Sequence, residues 1–99
     1  KVTAAIKHEL DVVAIRHDPN GGQAVLAIGE AKHTAARRTI ADLTRLEHIR
    51  GLVSLNERTA LSARLLLFSA NGFERNLIDS AKGRDDVQLI DLERIYAGS

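Results

Sequence analysis

The hydrophobic pattern of this 99-residue chain predicts an α/β domain with a mixed central sheet flanked by helices, in the order β-β-β-α-β-α-β. Three observations predict it. Two β-branched segments separated by an Asn-Gly turn make a hairpin over residues 10–32. The apolar residues Ile40, Leu43, Leu46 and Ile49 then recur every three positions, as on one face of a helix. Finally, Leu65-Leu66-Leu67-Phe68 is a short unbroken apolar run, the pattern of a strand buried on both faces.

Each element follows in order. Residues 2–6 read as a short strand. Residues 10–16 carry Leu10, Val12, Val13 and Ile15 and form the first arm of the hairpin. His17-Asp18-Pro19-Asn20-Gly21-Gly22 is dense in turn formers, and residues 25–32 form the second arm. The helix over 39–50 places Arg38, Asp42, Arg45 and Glu47 between its apolar positions and is expected to stop at Gly51. Residues 52–62 read either as a further turn of helix or as a loop. Asn71-Gly72 turns the chain after the buried strand, residues 74–81 read as a second helix, and residues 87–92 as a last strand. Residues 93–97 suggest a terminal turn.

Composition narrows the function classes. With 99 residues the chain is one domain, and 44% hydrophobic content fills a core that must be aliphatic, because aromatics supply only 3%. The absence of cysteine removes disulfides, thiolate metal sites and cysteine nucleophiles together. No apolar run approaches the roughly 20 residues of a membrane span and no signal peptide is visible, so a cytoplasmic home without a membrane partner is expected. The net charge of +1 announces no global field for nucleic acid, although most of the 14 basic residues are arginine, the residue best suited to bidentate phosphate contact. The chain starts at Lys1 and enters a strand at once, and reads as a piece of something longer.

One constellation carries chemistry. If Asn20 and Gly21 are the central residues of a two-residue type I′ turn, Asp11 faces Glu30 and Glu9 faces Lys32. Residues i and i+2 share a face of a strand, and so do directly opposed residues, so all four converge on one surface. A three-residue Pro19-Asn20-Gly21 loop with a bulge is the alternative, and it shifts the register by one. The same face continues through Val13, Ile15, Leu26 and Ile28, and the other carries Leu10, Val12, Ala14, Val25, Ala27, Gly29 and Ala31. Both are apolar, which predicts a hairpin covered on both sides. Opposed β-carbons lie about 5 Å apart, so two carboxylates there demand a proton or a cation between them. Asp11 and Glu30 offer hard oxygens suited to Mg²⁺ or Mn²⁺, and Lys32 can hold or polarise a water beside the metal. The plainer reading is a structural ion network with Lys32 bridging the acids. Glu9 is either a further ligand or a solvated partner of Lys32. Arg37 and Arg38 either hold backbone phosphates or are solvated surface charge.

Asp11 followed, after a turn, by Glu30-Ala31-Lys32 resembles the D…ExK signature of the PD-(D/E)xK nucleases. Glu9-Leu10-Asp11-Val12-Val13-Ala14 and Ile28-Gly29-Glu30-Ala31-Lys32-His33 are similar to a narrower group, the nuclease-like domain at the C-terminus of archaeal-type P-loop ATPases. Leu67-Phe68-Ser69-Ala70-Asn71-Gly72-Phe73 and Val87-Gln88-Leu89-Ile90-Asp91-Leu92 resemble its later strands. The resemblance implies a restriction-endonuclease-like core spanning residues 1–99, forming the C-terminal part of a longer ATPase. It implies a Mg²⁺-dependent DNA endonuclease in which Asp11, Glu30 and Lys32 are catalytic, with DNA and an N-terminal ATPase domain as partners and a homodimer compatible with the sequence. The family's first helix would precede Lys1, and no GxxxxGK[ST] motif occurs in this segment. A catalytically silent nucleic-acid-binding or assembly domain is the reading from a different class.

The remaining candidates are bland. His8, His17, His33 and His48 show no metal-ligand spacing, and Ser69 lacks a Gly-x-Ser-x-Gly context and reads as a local cap. Asp91 and Glu93 read as surface or helix-start residues.

Overall fold

The computed structural model describes the backbone of residues 2–7, 11–31 and 36–92, and the side chains of residues 12–31 and 36–92. Among these, the strands are β1 (Val2–Lys7), β2 (Asp11–His17), β3 (Gln23–Ala31), β4 (Arg64–Ser69) and β5 (Val87–Asp91). The helices are α1 (Ile40–Ser54) and α2 (Arg75–Lys82), with a 3-10 segment at Arg58–Ser62. The strands form one mixed sheet in the order β1-β2-β3-β4-β5, antiparallel from β1 to β3 and parallel from β3 to β5.

Both parallel connections advance in the same direction across the sheet, so right-handed crossovers put both helices on one face. The core shows this. Leu43 and Leu46 of α1 and Leu77 of α2 share one cluster with Val25 and Ile28 of β3 and with Leu65 and Leu67 of β4. Ile40 and Ile49 pack against it, completing the three-residue spacing of the helix. The opposite face was expected to be covered as well, yet no described element packs on it. Val12, Ala14, Ala27, Leu66, Phe68 and Ile90 are half-buried there.

α1 passes Gly51 and ends at Ser54. Glycine stops a helix when it takes a left-handed conformation, and the described glycines with positive φ are Gly21 and Gly72. At Gly51 the helix accepts the local cost of roughly 1 kcal/mol, because the next turn packs Val53 onto the core. The 3-10 segment, in a region the pattern left open, is tied to the sheet by the Val25 N–H, which donates to Thr59 Oγ1 at 3.0 Å. Arg50 ties the other end of α1, donating to the Ala63 carbonyl at 3.0 Å and to Asp86 at 2.9 Å.

The hairpin reaches its register by two irregularities. Asp18 N–H donates to the Gly22 carbonyl and Gly21 N–H to the Asp18 carbonyl, with Gly21 at φ +89°, so the loop is the three-residue form. It pairs His17 with Gln23 and Ile15 with Val25. The register then shifts between Ala14 and Ile15, where Leu26 is the extra residue of a β-bulge, and Asp11 pairs with Glu30. The bulge exchanges two side chains relative to the sequence pattern: Val25 turns into the core and Leu26 is 37% exposed.

Candidate functional site

Glu30 lies one residue before the end of β3, at the C-terminal end of the parallel half of the sheet. In open α/β sheets that end is where connecting loops leave room for a ligand. The segment after β3 and the segment after β4 are joined there. Arg38 N–H donates to the Gly72 carbonyl at 3.0 Å, and Glu74 N–H donates to the Arg38 carbonyl at 2.9 Å, forming a bridge between Arg38 and Phe73. Ser69 serves the same corner as a local cap, donating to the Gly72 carbonyl and accepting from Asn71 N–H.

This bridge turns Arg38 inward. Read from the sequence as surface charge or a phosphate contact, Arg38 is instead 1% exposed. Its Nη2 donates to Glu30 Oε1 at 2.8 Å, and its Nε lies 3.6 Å from Asp42 Oδ2. Arg37, next to it, is exposed. Arg45 closes the cluster from the next turn of α1. Its Nε donates to Glu30 Oε2 at 3.2 Å, and its Nη2 donates to Glu30 Oε1 and reaches Asp42 Oδ1 at 3.3 Å.

Asp42 is buried because it is also the capping residue of α1. Its Oδ2 accepts from Thr39 N–H at 2.8 Å, while Thr39 Oγ1 accepts from Asp42 N–H, a reciprocal capping box. Among the described residues the cluster brings together two carboxylates and two guanidinium groups. At Glu30 the described positive charge comes from the two arginines. Arg38 Nε and Nη1 are buried without a hydrogen-bond partner among the described residues, which is a real desolvation cost.

The two guanidinium groups are not equivalent. Arg38 is 2% exposed at its side chain, and breaking a pair so buried costs on the order of 3–5 kcal/mol. Arg45 is 44% exposed, so solvent screening reduces its pair to roughly 1 kcal/mol or less. If one arginine lets go of Glu30, it is Arg45.

Of the residues singled out in the sequence, Asp11 is the backbone partner of Glu30. Its side chain, and the whole of Glu9 and Lys32, lie outside the described residues, as do His33 and residues 93–97. No group of three or more metal-ligating side chains occurs among the described residues. As a donor set, Asp11 and Glu30 suit Mg²⁺ in kind, being hard oxygens on opposed strands. Both oxygens of Glu30, however, accept from guanidinium groups, so a metal fits at Glu30 only where Arg45 has moved off. Asp42 and Arg45 were missed as members of this cluster. Their signal was present: Arg38, Asp42 and Arg45 fall at helical spacings on one stripe.

Comparison with family models, with characterised proteins and with solved structures returned no match. Among the described residues no helix is long and apolar enough to cross a membrane.

Proposed function

We propose that this chain is a nuclease-type module of the PD-(D/E)xK class, with a restriction-endonuclease-like sheet, acting on DNA phosphodiesters with Mg²⁺ or Mn²⁺ and serving an ATPase as an appended domain. The observation that carries this reading is the pairing of Asp11 with Glu30 across β2 and β3, at the ligand-accepting end of the sheet and one residue short of the segment that begins with Lys32. In this reading Asp11 and Glu30 hold the metal, which when bound supplies charge stabilisation at phosphorus and lowers the pKa of a water. Lys32 orients that water, and Arg37, exposed beside the cluster, contacts the DNA backbone.

The test is thermal melting of the chain with and without millimolar Mg²⁺, followed by cleavage assays with Mn²⁺ on duplex, branched and single-stranded DNA. Metal binding to the folded state alone raises the melting temperature by ligand linkage, and Asp11→Asn should abolish the rise. A melting temperature indifferent to both metals counts against the site.

A second reading is favoured by one observation, the occupation of both Glu30 oxygens by Arg38 and Arg45. In it the site is internally neutralised and the domain binds nucleic acid or mediates assembly without cleaving. Retained DNA binding together with indifference to metal would select it.

A further inference from the structure

We propose that the corner between α1 and β4 is a docking surface for an anionic lipid bilayer, into which Leu52, Leu55 and Leu61 insert while Arg58 and Arg64 meet the headgroup phosphates. This surface is independent of the cluster at Glu30. It goes against the expectation of no membrane partner drawn from the lack of an apolar span; contact with a bilayer surface needs no span.

Five residues spaced three apart form the surface. Leu52, Leu55, Arg58, Leu61 and Arg64 are all exposed, along the end of α1, the 3-10 segment and the start of β4. Residues three apart on a helix are neighbours, so Leu52 and Leu55 stand together where α1 ends. In a 3-10 helix such residues lie one above the other, so Arg58 and Leu61 share an outward side. Ala60 and Ala63, also three apart, are fully buried and fix which side faces the core. The turn between the two segments is tight, since the Asn56 and Glu57 N–H groups both donate to the Val53 carbonyl. The leucines are 52%, 79% and 63% exposed in chain order. A single exposed leucine is ordinary on a protein surface, but three on one corner make a patch.

Charge and size together say what covers it. Arg58 and Arg64 have no ion-pair partner among the described residues, whereas Arg50 is held by the Ala63 carbonyl and Asp86. The acid beside them, Glu57, is turned onto Thr59 and accepts from its N–H and its Oγ1. Two guanidinium groups are therefore left for the phosphate oxygens of anionic headgroups. A specific protein interface takes about 800 Å² from each partner, more than three leucine side chains supply. A bilayer asks for no matching shape, and each apolar side chain that enters it gains independently. Arginine reaches the headgroups from such a patch with its stem in the apolar layer. Thr59 Oγ1 accepts from the Val25 N–H and ties the corner to the sheet, so the leucines are presented from a fixed base. β4 begins at this corner, and Glu30 lies near the far end of the parallel strand β3, so the bilayer covers the end of the sheet opposite Glu30.

The experiment is cosedimentation of the full 99-residue chain with vesicles of phosphatidylglycerol and phosphatidylcholine in equal parts, and with vesicles of phosphatidylcholine alone. The chain should pellet with the mixed vesicles and stay in solution with the neutral ones. Arg58→Gln and Arg64→Gln should each weaken binding roughly fivefold at low salt. Leu55→Ser should weaken it roughly tenfold. The chain has no tryptophan, so Leu55→Trp reports insertion directly and serves if the serine variant does not fold. Its emission should shift to the blue with mixed vesicles, while that of Asn76→Trp, on the exposed side of α2, should stay. Failure to bind the mixed vesicles, equal binding to both kinds, or binding that the leucine and arginine variants leave unchanged overturns the proposal. A dimer in sedimentation equilibrium that Leu55→Ser dissolves overturns it too, since the occupant is then a second copy.

Discussion

Arg38 Nη2 meets Glu30 Oε1 at 2.8 Å, with 2% and 10% of the two side chains exposed. The contact joins the end of β3 to the segment that leads into α1, and so fixes where the helix starts over the sheet. A buried pair of this kind adds little net stability compared with apolar residues of similar volume, because both ions are desolvated. Removing Arg38 is a different matter, since a nearly dry carboxylate loses one of its two guanidinium partners and keeps only the half-exposed Arg45.

Arg38→Leu should therefore destabilise the chain in urea denaturation, by less than the roughly 3–5 kcal/mol of a wholly unpaired buried charge, because Arg45 stays on Glu30. The double variant Arg38→Leu/Glu30→Leu should lie closer to the unsubstituted chain than the single one. In the double variant Arg45 keeps its ion pair with Asp42. A double variant as unstable as the sum of its parts would show that the two residues do not act through each other.

The ion network at the far end of α1 should give way only in strong acid. The Asp86 carboxyl is held well below the usual carboxylate range, chiefly by the hydrogen bond from the Arg84 guanidinium and further by Arg50. Its folded pKa is depressed, so its contribution to stability is present above the ordinary carboxylate pKa and is lost as pH falls through the folded value. Asp86→Asn should reduce stability at pH 7 by no more than roughly 1 kcal/mol, because the group is about a third exposed. The deficit should shrink in strong acid. Denaturation series at both pH values check the sign, and a deficit that grew in acid would contradict it.

The face of the sheet on which no described element packs holds a tight spot. A β-carbon on Gly29 would stand 3.0 Å from the Phe68 ring and 3.3 Å from the Leu66 β-carbon. Gly29→Ala should destabilise by about 1–3 kcal/mol through overpacking between β3 and β4. Combining it with Phe68→Leu should recover part of that loss, because the ring is the nearer obstacle. Purely additive losses in thermal melting would place the strain in the backbone.

The bulge makes a prediction about length. Leu26 has no cross-strand partner, and it is the residue that offsets the three-residue loop. A chain lacking Leu26 should keep Asp11 opposite Glu30, with Ala14–Ala27 pairing leading directly into Ile15–Val25. Cross-strand proton contacts between β2 and β3 measure this. A shifted set of contacts, with Glu30 moved to the other face, would mean that the bulge and not the outer pairing sets the register.

The apolar repeats alone determined the order of elements, because a period of two or of three to four residues is a property of the chain before it folds. Reading Asn20-Gly21 as a two-residue turn places Asp11 opposite Glu30, and that pairing holds although the loop has three residues. What the repeats could not contain was the route, in which a loop of one type and a bulge at Leu26 cancel, because each depends on how β3 meets its neighbours. The helical spacing of Arg38, Asp42 and Arg45 put them on one stripe, but nothing in it joined that stripe to Glu30. Arg38 looks like surface charge at the mouth of a helix, and it becomes core because Gly72 and Glu74, more than thirty residues later, hold its backbone and turn it inward. Nothing periodic encodes a contact of that range. Tertiary structure alone decided that the carboxylate of Glu30 faces two arginines, one fixed by burial and one half in water.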